Sequence, residues 1–298
     1  MTQMVAHTSA PSTETGLKDD TLLMHAGSSW PSTLEELLDR RDATILSVGD
    51  AAVLRAARAV SFRAHAPPML YRLTTYTGRS IEATRDQPFL TREGWRPLSS
   101  LTTADAVAVV AEYPDFFGRG DTDADLLKLL AYLTGAGTRG DGISPTFADL
   151  MVRSDFEDAV LRKGDECRIL TDSDGSTRLH VHGRAGAGSR VIGFLELVGV
   201  RDVGPSALFV PDFVFGLQRS KLRLYLSRLF TLDGQLESSG RITYRTTSIR
   251  MARQVQHLLA RFGVVSLLRG LGLGDDLDAV DLVIRTKADV VRFIDEIG

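Results

Sequence analysis

Ten basic side chains stand between Leu217 and Gly270: Arg219, Lys221, Arg223, Arg228, Arg241, Arg245, Arg250, Arg253, Arg261 and Arg269. Only Asp233 and Glu237 oppose them there, so the segment carries +8. The whole chain has 35 Lys+Arg against 38 Asp+Glu, which leaves −11 for the remainder. A near-neutral total therefore hides a basic module, of the sign that phosphates attract. Arg241 and Arg245 sit four apart around the alternating run ITYRTT, which predicts a strand able to lay Arg and Thr against phosphates and base edges. Arg241, Thr243, Arg245, Arg250 and Arg253 are thus candidate DNA contacts. A solvated strand face with ordinary surface arginines is the competing reading.

Other reactive residues point to less. His180 and His182 in RLHVHG share a strand face, but no third ligand accompanies them, which predicts a solvated strand edge rather than a metal pair. Cys167, the single cysteine, excludes an internal disulfide framework and a cysteine zinc cage, and it has no histidine partner to activate it. GAGTRGDG and RAGAGSR are rich in glycine. Neither sits in a strand-loop-helix ending in Lys-Ser/Thr, so both read as loops and not as phosphate cradles.

The elements that must hold these residues divide the chain in two. At 298 residues, two domains are expected. No apolar run has the length of a membrane span and the first residues lack a secretory core, so a soluble, cytoplasmic protein without a membrane partner is expected. Residues 1–15 are polar and aperiodic, predicting a disordered lead-in. Residues 16–115 show short β-branched and aromatic segments. TYTGRSIEAT, with Gly78 between two such runs, is the clearest hairpin signal, and STLEELLDRR predicts a short helix with Ser32 as N-cap and Glu35 behind it. Residues 120–298 show longer, helical periodicity over Ala124–Thr134, Ser154–Lys163, Ser220–Thr231, Thr247–Phe262 and Ala288–Glu296. TRLHVHG, ITYRTT, VVSLLRG and AVDLVIRT intervene as strands, giving an α+β texture with a weak internal duplication.

Two stretches carry a family resemblance. YRLTTYTGRSIEATRDQPFLTREGWRPL resembles the block G-x-x-I-x-x-T-x-x-H-P-F-L-T-x-x-G-W of Hint-class inteins, such as those of bacterial replicative helicases. Gly78, Ile81, Thr84, Pro88, Phe89, Leu90, Thr91, Gly94 and Trp95 stand at matching positions, and DDTLL resembles an intein start. The resemblance implies that Thr84 helps polarise a scissile peptide bond. The family's histidine is replaced by Gln87, which cannot shuttle a proton near neutral pH. The nucleophile's position falls on Gly16, which has no side chain with which to attack. The family's closing His-Asn block has no counterpart after IDEIG, so loss of splicing is expected, and a separate fragment completing the module would still leave Gly16 blocking the first step.

The second stretch is LLAYLTGAG (129–137) with LSRLFTLDG (226–234), similar to the paired motifs of LAGLIDADG homing endonucleases. The resemblance implies two helices packed side by side, each delivering a carboxylate that holds a divalent metal, normally Mg²⁺, for cleavage of double-stranded DNA. Asp233 fills the second acidic position and is the implied metal ligand, but Ala136 fills the first. Asp141 lies past the helix end, and the run before Pro211 (Ser206, Ala207, Leu208, Phe209) holds no lysine where the family has one. Arg228 stands where the motif has a small residue, predicting a strained or loosened helix pair. The expected architecture is mixed β and α+β: an incomplete Hint-type all-β module, then a LAGLIDADG αββαββα domain with a pseudo-two-fold axis. The expected function is that of an intein-derived homing endonuclease-like protein with splicing lost and cleavage impaired. A catalytically inactive DNA-binding module or a decaying remnant is the alternative.

Overall fold

The structure is a computed structural model describing residues 15–26, 31–38, 44–49, 53–59, 69–113, 117–136, 145, 147, 149–171, 177–184, 188–270 and 279–298. Most of the predicted lead-in and residues 137–142 of the run GAGTRGDG, Asp141 among them, lie outside these. The chain forms two compact units, 1–116 and 117–298.

The first unit is built from antiparallel strand pairs. β1 (Leu22–Met24) pairs with β2 (Pro31–Thr33), which leads into helix α1 (Leu34–Leu38). β3 (Thr44–Val48) pairs with β4 (Leu54–Arg58), β5 (Tyr71–Thr74) with β6 (Ser80–Ala83), and β7 (Pro88–Thr91) with β8 (Gly94–Pro97). The β5–β6 turn closes where predicted, and Gly78 takes φ 79°, a conformation that costs glycine least. The helix cap differs from expectation by one residue. Thr33 Oγ1 accepts from the Glu36 backbone N–H at 3.1 Å, and the Glu36 carboxylate accepts from the Thr33 N–H at 3.1 Å. This is a capping box on Thr33 and Glu36, since α1 begins directly after Thr33 while Ser32 is buried one residue earlier. Two small cores result: Leu23, Leu37 and Ile45 form one, and Ile81, Ala83 and Phe89 the other.

The second unit is α+β. Helix α2 (Ala124–Ala136) is followed by α3 (Leu150–Arg162), the hairpin β9 (Asp165–Thr171) and β10 (Thr177–Gly183), then α4 (Arg190–Leu197) and α5 (Asp212–Phe215). Most of residues 137–148 lies outside the described residues. The second half is complete: α6 (Arg219–Asp233), β11 (Gly234–Leu236), β12 (Ile242–Thr246), α7 (Ile249–Ala260), β13 (Leu267–Arg269), β14 (Val280–Ile284) and α8 (Lys287–Glu296). Its four strands form one antiparallel sheet in the order β11-β12-β14-β13. β12 alternates, burying Ile242, Tyr244 and Thr246 and turning Thr243 and Arg245 outward. The Tyr244 ring packs tilted against Phe230 of α6 at 5.4 Å, and Phe230 meets Phe293 of α8 at 4.8 Å, so these helices line the inner face of the sheet.

Candidate functional site

In the first unit, the strand alternation of β6 carries the chain to Thr84 and its neighbours. Residues 16–18 run beside β6, with a bridge between Leu17 and Ala83 and a hydrogen bond from Lys18 N–H to the Glu82 carbonyl at 3.1 Å. Gly16 N–H donates to Thr84 Oγ1 at 2.9 Å, and Thr84 N–H donates to the Gly16 carbonyl at 3.0 Å. Gln87 closes the turn, its N–H donating to the Thr84 carbonyl at 3.2 Å, and both side chains are buried. The three residues singled out in this half are thus neighbours. The peptide nitrogen of Gly16 sits in a hydrogen-bonded cradle, with neither an attacking group nor a titratable proton donor among these three residues.

In the second unit, α2 packs against α6. Both start from one parallel bridge, Gly120 to Leu217, in which Gly120 N–H donates to the Gly216 carbonyl and Gln218 N–H to that of Gly120, each at 2.9 Å. Ala136 and Asp233 lie the same number of residues beyond their ends of this bridge, so the two helices finish at the same end of the pair. Thr134 Oγ1 and Tyr225 Oη approach to 3.5 Å across the buried interface. Gly234 ends α6 where a Cβ would stand 2.3 Å from the Phe230 carbonyl oxygen, so only glycine lets the chain turn directly into β11.

Arg228 does not loosen this pair. Its Nε donates to Asp155 of α3 at 3.1 Å, and the same carboxylate accepts from Lys128 Nζ at 2.5 Å and Tyr132 Oη at 2.9 Å. One acid therefore ties α2, α3 and α6 together. Burial acts to raise the Asp155 pKa, but the hydrogen bonds from Lys128 and Tyr132 outweigh it and hold the carboxyl below its ordinary value.

Asp233 is in the opposite condition. It is half-buried at the end of α6, and burial pushes its carboxyl up to about 6. No hydrogen bond or cation relieves it among the described residues. Those residues also include no group of three His, Cys, Asp or Glu able to hold a metal ion. One desolvated carboxylate does not fit the two-acid metal centre implied by the motif.

The outer face of the sheet gathers part of the basic set. Thr243 and Arg245 share one side of β12, Arg241 stands just before the strand where its carbonyl accepts from the Glu237 N–H at 2.9 Å, and the register places Arg245 and Arg269 on either side of Asp281 in β14. Arg245 Nε and Nη2 donate to the two Asp281 oxygens at 2.7 and 3.0 Å. Thr243 Oγ1 donates to Glu237 at 2.6 Å. Hydrogen bonds from Thr243 and Ser239, and then the charges of Arg241 and Arg269, hold the Glu237 carboxyl below its ordinary value. The face is therefore a mosaic of three arginines and two acids. Arg250 and Arg253 are not on it. They lie on α7, which packs against β12, β13 and β14 with a mostly buried surface and so covers the inner face. There Arg250 stacks over Phe209, 4.5 Å from the ring centroid. Asp281 lies outside the basic segment 217–270 and is brought to it only by strand pairing. The alternation of AVDLVIRT is the signal that could have found it.

The remaining candidates resolve simply. His180 and His182 lie on β10, an edge strand of a two-stranded sheet, half-buried, with ring centroids 6.1 Å apart and His182 Nδ1 3.0 Å from the Gly183 carbonyl oxygen. Burial pushes the Cys167 thiol up to about 12, the condition of an inert thiol.

Residues 220–298, from α6 through the sheet to α8, match the LAGLIDADG-like domain family. The chain resembles an intein that carries a LAGLIDADG-like domain. The replicative DNA helicase DnaB of Synechocystis sp. is 26% identical over 95% of this chain, which spans 34% of that protein's length. The Ssp DnaB mini-intein variant M86 matches 33% of this chain and 62% of its own, with 24% identity and a TM-score of 0.30. The homing endonuclease I-DmoI, solved in complex with DNA and Mn, matches 58% of this chain and 96% of its own, with 14% identity and a TM-score of 0.40. Within this frame the LAGLIDADG-like domain contributes the α6 helix, Asp233 and the arginine-bearing sheet, while the intein-like unit holds Gly16, Thr84 and Gln87. No helix among the described residues is long and apolar enough to cross a membrane.

Proposed function

We propose that this chain binds double-stranded DNA through the outer face of its four-stranded sheet, with peptide splicing lost and strand cleavage impaired. The observation that carries the reading is the clustering of Arg241, Arg245 and Arg269 with Thr243 on one sheet face, in a unit whose helices α2 and α6 run side by side. Arginines on a sheet supply phosphate contacts spread over many residues, so binding outlives the loss of one catalytic group. Cleavage depends instead on an acid pair that is reduced to Asp233, with Ala136 in the other position. Mg²⁺ binding is correspondingly weak in this reading. Splicing fails at Gly16, which has no nucleophile, and a second polypeptide completing the β-rich unit would leave that step blocked.

The test is a gel-shift titration of the full chain on duplex DNA across a salt series, with a parallel incubation in Mg²⁺ or Mn²⁺. The expected result is a complex whose affinity falls steeply with salt and a duplex that stays intact. Binding no better than that of an unrelated acidic protein overturns the DNA reading, and site-dependent nicking overturns the impairment.

A further inference from the structure

Among the arginines of the outer sheet face, Arg245 stands apart. Its side chain is 71% exposed, yet its Nε and Nη2 groups are both fixed on the Asp281 carboxylate, itself 28% exposed. A guanidinium has two edges that can each present a parallel pair of N–H donors. Asp281 occupies the edge carrying Nε and Nη2, which leaves the terminal edge, Nη1 with the second N–H of Nη2, facing away from the carboxylate. Arg269 flanks Asp281 on the other side and adds its charge, yet no hydrogen bond joins those two among the described residues. One arginine of the cross-strand row is therefore held in a single orientation and its neighbour is not.

We propose that Arg245, oriented by Asp281, is a specificity-determining residue that reads a guanine in the major groove. The inference rests on the duplex-binding reading above and deepens it. Guanine presents O6 and N7 as adjacent acceptors, and a fixed pair of parallel N–H donors matches them. Adenine offers a donor beside N7, and the pyrimidine edges offer no such acceptor pair, so the same donors discriminate against the other bases. An exposed ion pair adds little to folding, and the bidentate geometry instead serves to pre-order the long side chain. Arg241 and Arg269, lacking such a clamp on this face, are suited to following phosphates.

The experiment selects a library of short duplexes with a randomised core against the full chain by gel shift, then sequences the bound pool. The expected wild-type result is enrichment of guanine at one position by about ten-fold or more. Arg245→Lys keeps the charge but lacks the paired donors, and it should abolish that enrichment. Asp281→Asn removes a negative charge from the face, so overall affinity should rise while the guanine preference falls. A rise in affinity with the preference intact would mean that Asp281 only repels phosphate, and it overturns the positioning role. Duplex binding without guanine enrichment, or with enrichment that survives Arg245→Lys, overturns this inference and leaves the DNA reading standing. Failure of the wild type to bind any duplex removes both.

Discussion

Gly16 and Thr84, 68 residues apart in sequence, are joined by hydrogen bonds of 2.9 and 3.0 Å through their backbone N–H groups and a longer one of 3.5 Å from Thr84 Oγ1 to the Gly16 carbonyl. The geometry grips the peptide nitrogen of Gly16 with a hydroxyl oxygen, while Gln87 supplies the buried turn behind it. The cradle persists although glycine has nothing to cradle for, since the hydrogen bonds need only backbone from residue 16.

A chemically re-armed variant follows directly. Gly16→Cys combined with Gln87→His restores a nucleophile and a titratable donor on an existing scaffold. Incubation with a thiol should then release the first fifteen residues, detected by mass spectrometry, whereas the wild type should stay whole. A double variant equally inert to thiol would show that the cradle does not activate the bond.

Asp233 makes stability depend on pH. Its carboxyl is pushed up to about 6 by burial, above the ordinary 3.8. The folded chain therefore binds more protons than the unfolded one between these values, and stability falls as pH rises through this window. Asp233→Asn should gain about 1–3 kcal/mol near pH 7, a gain that vanishes at about pH 4 and below. Urea denaturation at both pH values measures it. A loss of stability near neutrality would reveal a favourable partner for the carboxylate.

The missing acid can be put back. Ala136→Asp brings a second carboxylate to the end of the helix pair, where like charges repel. The variant should melt lower than wild type in a chelator and recover on adding Mn²⁺, with the wild type insensitive to the metal. A variant indifferent to Mn²⁺ would place the two helix ends too far apart to share an ion.

Asp155 is the acid on which the three-helix junction turns. Asp155→Ala leaves Lys128, Tyr132 and Arg228 without their common acceptor and should cost about 1–3 kcal/mol. Because its carboxyl is held below the ordinary range, this contribution is present at neutral pH and drains away in acid. Denaturation of the variant and wild type across an acid series measures both, and parallel curves would refute the role.

Much of the architecture was legible because periodicity survives without tertiary information. α6, α7, α8 and the alternation of β12 follow from it, as does the β5–β6 turn from Gly78. Helix α4 was missed because RVIGFLEL is short and sits beside glycine-rich sequence, while Ser189 caps it by accepting from the Ile192 N–H. DECRILT was missed as a strand because it carries charge in an edge that only its pairing with β10 explains. The outer sheet face was half legible. Charge counting finds arginines within a segment, but only cross-strand register brings Asp281 beside Arg245, and only the packing of α7 removes Arg250 and Arg253. Arg228 misled for a related reason, since its partner lies 73 residues upstream.

The bridge between Gly120 and Leu217 has a mechanical corollary. It fixes where both motif helices begin, so their phase is set at the base and carried along each rod. One residue inserted between Leu217 and Arg219 would swing every side chain of α6 by about 100°. Tyr225 and Leu229 would be thrown out of the seam, and Asp233 would be turned away from the tip. Lengthening the chain between Gly199 and Pro205, upstream of the bridge, leaves that phase untouched, so tolerance to insertion should change sharply over a few residues.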